Sequence, residues 1–365
     1  MNLYTNWTEF TSPWDTIIDC ILVNQGNPNA SQTLCIASTA FGILMGYIFP
    51  FIGIFDVLSN CIVAFIFLWS LIYYNKQFIL LGMLAIADIG VVICIGWISL
   101  FPAYGLPFAS SGTIYYFTLT RSTISCKLSI FFQTFFCTLR GNIFIVLAVD
   151  RFVLIHKPLI YNKLSKYFNC YILFIVILIT LAMTLPFGIL IELTPVRKLS
   201  ACWFVRGKPY IPIHQTLFSN TCPIQLSLVT LFDSFFVLKV IQWKRKLQQV
   251  SSTSSSSSSS EVNISFIITM LILQIVAFLF SLPSSITYLI ALVINFENAS
   301  SEYVRLLILI INMAWNMIFL QSSLNIFIYY YRIRKFRQIL QHYLQCHCDL
   351  KSISQTNSII TTGYN

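Results

Sequence analysis

An acid and a base stand in the middle of two apolar stretches of this chain: Asp88, closing Leu84-Ala-Ile-Ala-Asp88, and Arg140, closing Phe136-Cys-Thr-Leu-Arg140. Neither charge is stable alone where water cannot solvate it, so mutual pairing is the economical arrangement. The alternative is an Arg140 side chain that snorkels into a water-filled cavity without touching Asp88. Asn60, Gln321 and Asn325 lie at similar depth in other apolar stretches, and the five groups together make a candidate buried polar network. This chemistry holds and switches helices; it does not break bonds. The histidines, His156, His214, His342 and His347, include none inside an apolar stretch beside a nucleophile and no His-Glu-x-x-His pair. No catalytic residue, metal site or cofactor is therefore expected.

Such groups need helices that span a low-dielectric layer. Cys126 and Arg151 are 25 residues apart, about 37 Å along a helix rising ~1.5 Å per residue, slightly more than the ~30 Å core of a bilayer. Cys126, Gln133 and Arg140 recur every seventh residue, so they share one stripe, which should face other helices. Of 365 residues, 57% are hydrophobic and 9% charged, with mean hydropathy +0.78; soluble domains carry about 25% charged residues. The expected class is an all-α membrane protein. The net charge of +10 comes from basic residues flanking apolar spans, which follows the positive-inside rule and excludes nucleic acid as the expected partner. Met1 to Glu9 has no basic region followed by an apolar core, so no cleaved leader is expected.

Seven apolar stretches, about 41–73, 78–102, 128–149, 168–192, 216–238, 264–294 and 304–331, each have the ~20 residues a spanning helix needs. Assigned to alternate sides, Lys and Arg are twice as frequent on the side holding Arg151, Lys244 to Lys246 and Arg332 to Arg337. That side should be cytoplasmic, with the N-terminus outside. Three parts follow: an extracellular segment 1–40, a bundle 41–331 with a Ser-rich third cytoplasmic loop at about 247–260, and a cytoplasmic helix and tail 332–365. Asn6, Asn29 and Asn298 begin Asn-x-Ser/Thr tripeptides on the outer side and are candidate glycosylation sites. Cys20 and Cys35 are either a local disulfide or two unrelated thiols. After the seventh stretch, Ile333, Phe336, Leu340 and Leu344 share one face of a basic segment, expected to be a short amphipathic helix on the inner membrane surface. Cys346 and Cys348 beyond it are either palmitoylation sites or ordinary thiols.

Taken together these residues resemble the rhodopsin-like (class A) family of G-protein-coupled receptors. Ser59-Asn60-Cys-Ile-Val63 resembles the first-helix Asn motif, and Leu84-Ala-Ile-Ala-Asp88 the second-helix Leu-Ala-x-x-Asp. Asp150-Arg151-Phe152 stands for Asp-Arg-Tyr at the family's spacing from Cys126. Phe278-Leu-Phe-Ser-Leu-Pro283 resembles the sixth-helix aromatic-Pro kink, and Ser322-Ser-Leu-Asn325-Ile-Phe-Ile-Tyr329 the Asn-Pro-x-x-Tyr motif. The chain departs from the pattern at Ile326, where proline is usual, at Ser281, where tryptophan is usual, at Leu231, where an activation tyrosine is usual, and in a fourth span without tryptophan.

The resemblance implies a seven-transmembrane helix bundle that binds an extracellular ligand and activates a heterotrimeric G protein by outward movement of the sixth helix. Asp150, Arg151, Phe152, Pro283, Asn325 and Tyr329 would be the switch, with Arg151 held by Asp150 at rest and Glu261 or Asn263 helping. It implies a disulfide from Cys126 to the loop 194–210, where Cys202 is the expected partner and Cys222 the competitor. Gln133, Trp203, Phe280 and Ser281 are candidate pocket residues. Gln133 is neutral where receptors for amines carry an aspartate, and the outer loops mix basic and aromatic residues, so a peptide is favoured over an amine. Arg140 occupies the position that normally helps bind sodium and would replace that ion beside Asp88. Arrestin and a receptor kinase are further expected partners. Two other classes remain: a transporter or channel, which would show substrate flux in vesicles, and a seven-helix protein that no longer signals.

Overall fold

Ser31 opens the first long helix by accepting a hydrogen bond from the amide of Leu34 at 3.3 Å, which satisfies one of the orphan N–H groups of the first turn. That helix, α1, runs Gln32–Ser70. It starts nine residues earlier than hydropathy suggests, because Gln32 to Ala40 mixes small polar residues with apolar ones and builds a helical turn without forming an apolar run. In the computed structural model, residues 14–28, 30–72, 77–156, 168–196, 199–204, 213–214, 217, 223–250, 258–293 and 301–345 are described. The other helices are α2 Gln77–Ala109, α3 Thr123–His156, α4 Phe168–Leu190, α5 Pro223–Val250, α6 Ser258–Val293, α7 Ser301–Arg332 and α8 Arg334–Gln345.

Among the described residues, α1 to α4, α6 and α7 are long and apolar enough to cross a membrane. The helix α5 takes the remaining place, against α3 and α6, and completes a seven-helix bundle. The helix α3 lies at the centre, packed on α2, α4, α5 and α6, while α7 returns to α1 and closes the ring. Gly90 makes room on α2 for a side chain of α3: a Cβ there would sit 2.2 Å from the ring of Phe136. Apolar side chains cover the outside, as on α4, where Tyr171, Phe174, Leu178 and Leu185 are exposed, a pattern stable only in lipid.

Two buried aromatic clusters fill the two halves. The inner one gathers Phe67, Phe78, Tyr329 and Phe336; the outer one gathers Phe49, Trp97, Trp315 and Phe319. Phe336, fully buried, pins α8 to Phe67 and Tyr329 at 5.3 and 5.8 Å between ring centroids. The outer part of α2 widens into i→i+5 turns over Val92–Gly105, with Pro102 inside; proline removes a backbone donor, and wide turns accommodate the mismatch.

Outside the bundle, a short helix Ile18–Asn24 and the segment that follows it are fixed at three points. Cys20 and Cys35 are disulfide-bonded, Ser31 donates to Glu302, and Arg305 of α7 holds both oxygens of Asp19 at 2.8 and 2.9 Å. The segment after α4 is an antiparallel hairpin, β1 Ile191–Val196 and β2 Leu199–Phe204, with Leu193 opposite Cys202. Its alternation, Ile191-Glu-Leu-Thr, is a strand signal that a purely apolar scan absorbs into the preceding span.

Candidate functional site

Gln321 and Asn325 stand four residues apart on α7, so both amides project from one helix face towards α2 and α3. There they meet the two intramembrane charges. Arg140 Nε lies 2.7 Å from Asp88 Oδ1, and its Nη2 donates to Gln321. Gln321 Nε2 donates to Asn325 Oδ1 at 2.9 Å, and Asn325 Nδ2 returns to Asp88 Oδ2 at 3.2 Å. The four side chains thus form a closed ring across α2, α3 and α7, with the ring of Phe144 5.5 Å from the guanidinium carbon. Asn60 adjoins it through Ser322 Oγ at 2.9 Å and through Asp56, an acid one turn earlier on α1, at 2.5 Å. Asp56 has no exposed surface. In the sequence it is masked by Asn60, one turn on, which carries the motif.

A second cluster surrounds Arg151 at the inner end of α3. Its Nη2 lies 3.2 Å from Asp233 Oδ1 on α5 and donates to Gln274 on α6, and its Nε donates to the Leu147 carbonyl at 3.0 Å. Gln274 also donates to the Phe144 carbonyl at 3.0 Å, so one α6 amide clasps α3 twice. The expected holder, Asp150, accepts a hydrogen bond from Gln77 of α2. Across the bundle Arg151 reaches Asp233 and Gln274, neither of them among the residues the family motifs point to, and the Phe236 ring at 5.8 Å, while the Asp150 charge also acts on it; the side chains of Glu261 and Asn263 lie outside the described residues. Phe152 packs on Phe232 and His156 at 5.8 and 4.0 Å. Tyr329 is buried against Phe67, and Pro283 sits inside α6, its carbonyl accepting from Thr287 at 3.0 Å.

In the outer half, Cys126 is disulfide-bonded to Cys202, which ties the hairpin to the top of α3. Below it Gln133 donates to Ser99 and, at 3.3 Å, to the Cys94 carbonyl. The wide turns of α2 place both acceptors there. Gln133 lines a cavity of about 180 Å³ with Tyr104, Asn312, Tyr288 and Trp315, partly roofed by Phe117 to Thr120. Trp315 Nε1 donates to the Tyr288 hydroxyl at 3.2 Å. Neither aromatic belongs to a motif in the sequence: the family's usual tryptophan is on the sixth span, whereas Trp315 comes from the seventh.

Ser281 lies deeper, lining a space of about 30 Å³ with Arg140, Gln225, Gln274 and Trp315. Phe280 is half-buried on α6 and lines neither space. The side chain of Trp203, the candidate glycosylation sites Asn6, Asn29 and Asn298, and Cys346 and Cys348 lie outside the described residues. Residues 59–355 match the family model described as 7 transmembrane receptor (rhodopsin family). No curated protein matches the chain.

Proposed function

Since the chain belongs to the rhodopsin family of seven-transmembrane receptors, multi-pass plasma-membrane proteins that bind a ligand and signal through a G protein, we propose that it is a receptor for an extracellular peptide. Ligand would enter the outer cavity beneath the hairpin, with the N-terminus outside and the C-terminus in the cytoplasm. Tyr104, Tyr288, Trp315, Asn312 and Gln133 offer an uncharged, aromatic and amide-lined recess, suited to a side chain of a peptide rather than to an ammonium group. The basic outer residues Arg121 and Lys127 favour an acidic or C-terminal carboxylate group on the same ligand.

The observation that carries the signalling reading is the double hold on Arg151. It is 1% exposed and bound at once to α5 through Asp233 and to α6 through Gln274. Outward movement of α6 about Pro283 would withdraw Gln274, loosen Asp233 and free the guanidinium to meet a heterotrimeric G protein, a shift between two packings. Asn325 and Tyr329 would readjust with α7. Arg140 serves as the permanent counter-charge of Asp88, so agonist affinity is expected to be insensitive to sodium. The Ser-rich loop and the Ser/Thr-bearing tail would serve a receptor kinase and arrestin once the receptor is active.

The test expresses the chain at a cell surface and screens peptide and small-molecule libraries against several G-protein reporters. A peptide response lost in Arg151→Ala, with surface expression unchanged, supports the proposal. A response that survives Arg151→Ala, or solute flux in vesicles without nucleotide exchange, overturns it.

A further inference from the structure

Beside the ring around Arg140 lies a buried acid that is not part of it. Asp56 lies where α1, α2 and α7 meet, and the charged groups acting on it are Asp88 of α2 and Arg140 of α3; α7 presents neutral Ser322 and α1 itself neutral Asn60. Two carboxylates therefore share one guanidinium. That guanidinium is already committed, with Nε on Asp88 and Nη2 on Gln321.

The hydrogen bonds at Asp56 are lopsided. Its Oδ1 accepts from Ser322 Oγ at 2.7 Å and from Asn60 Nδ2 at 2.5 Å, whereas Oδ2 is buried with no hydrogen-bond partner. An ionised carboxylate spreads its charge over both oxygens and is poorly served by donors on only one. A carboxylic acid has one acceptor oxygen, which the two donors on Oδ1 satisfy, and on Oδ2 it leaves a neutral O–H in place of half a negative charge, the smaller of the two desolvation costs. Protonation also removes the repulsion from Asp88 and leaves Asp88 and Arg140 as a balanced pair.

We infer that Asp56 is a proton-binding site, carrying the proton on Oδ2 in this conformation. Ser322, which holds Oδ1, also interacts with Asp88. The affinity for the proton is thereby tied to the position of α7, and by reciprocity the proton biases that position. This holds whether or not the receptor proposal does, because it rests on charge balance and hydrogen-bond geometry alone.

Infrared spectroscopy of the full chain in lipid nanodiscs at neutral pH tests it, with Asp56→Asn and Asp56→Glu beside the wild type. The expected result is a carbonyl band of a protonated carboxylic acid that shifts in heavy water, is missing in Asp56→Asn and moves in Asp56→Glu. Asp56→Asn should fold with an unchanged melting temperature, since it replaces one neutral group by another. An infrared spectrum that Asp56→Asn leaves unaltered overturns the inference. So does failure of Asp56→Asn to fold, or a melting temperature that rises with sodium against choline at constant ionic strength in the wild type but not in Asp56→Asn, which would assign a metal cation to the site.

Discussion

Arg140 and Arg151 lie three helical turns apart on one helix, both buried, each facing a carboxylate from another helix. Their surroundings differ. Arg140 is 2.7 Å from Asp88 within a closed ring that draws on three helices, and both Asp88 oxygens are engaged. Arg151 is 3.2 Å from Asp233, whose side chain is 14% exposed, against 1% for Asp88. A longer, partly solvated ion pair is the easier one to part. One arginine is locked into the frame; the other is latched. The same residue on the same helix thus serves architecture at mid-membrane and switching at the inner mouth.

The largest effect is expected at the locked site. Asp88→Asn or Arg140→Gln leaves a buried charge unpaired and should cost about 3–5 kcal/mol, read as a lower melting temperature and lost surface expression. The double variant should recover most of that loss; additive losses would mean that the two charges are not a unit. Opening the ring without removing a charge is milder. Gln321→Leu strands a guanidinium donor and should cost about 1–3 kcal/mol, with ligand-independent nucleotide exchange unchanged. At the latch the pattern should reverse: Gln274→Leu should cost no more than about 1–3 kcal/mol but raise that exchange. If both leucine variants affect stability and exchange alike, the two arginines do not have separate roles.

A third pair, at the extracellular surface, should give the smallest effect. Burial raises the Asp19 carboxyl above its ordinary 3.8 despite the Arg305 guanidinium beside it. The folded chain therefore binds this proton more tightly than the unfolded chain does. The stability contributed by the group is full below 3.8 and declines as pH rises through the folded-state value. Asp19→Asn should remove that slope from a plot of melting temperature against pH; a slope equal to the wild type's would contradict it.

The sequence shows the locked site better than the latch. Asp88, Arg140, Gln321 and Asn325 are conspicuous because each is a polar residue in an apolar run, and such residues have few places to go but each other. Asp233, in Leu231-Phe-Asp-Ser-Phe-Phe, and Gln274, in Leu271-Ile-Leu-Gln-Ile-Val, are also polar residues in apolar runs, but the family motifs point to Asp150, Glu261 and Asn263 as the holders of Arg151 and draw attention away from them. Asp56 was hidden by its own neighbour, Asn60. In the outer half, the i→i+5 turns of α2 have Pro102 as their one local signal, yet they decide which carbonyl Gln133 reaches. Span number is legible because hydropathy over ~20 residues reports it directly. The start of α1 is not, because Gln32 to Ala40 is helical for reasons of capping and packing rather than hydropathy.

Ligand-independent nucleotide exchange by a G protein, measured with purified receptor in nanodiscs for Asp233→Asn and Arg151→Ala, tests the latch most directly. Loosening the latch by about 1.4 kcal/mol should raise the active fraction roughly tenfold in Asp233→Asn, while Arg151→Ala abolishes exchange. Exchange in Asp233→Asn equal to the wild type's, with both variants folded, would mean that the Asp233 contact does not hold the receptor at rest.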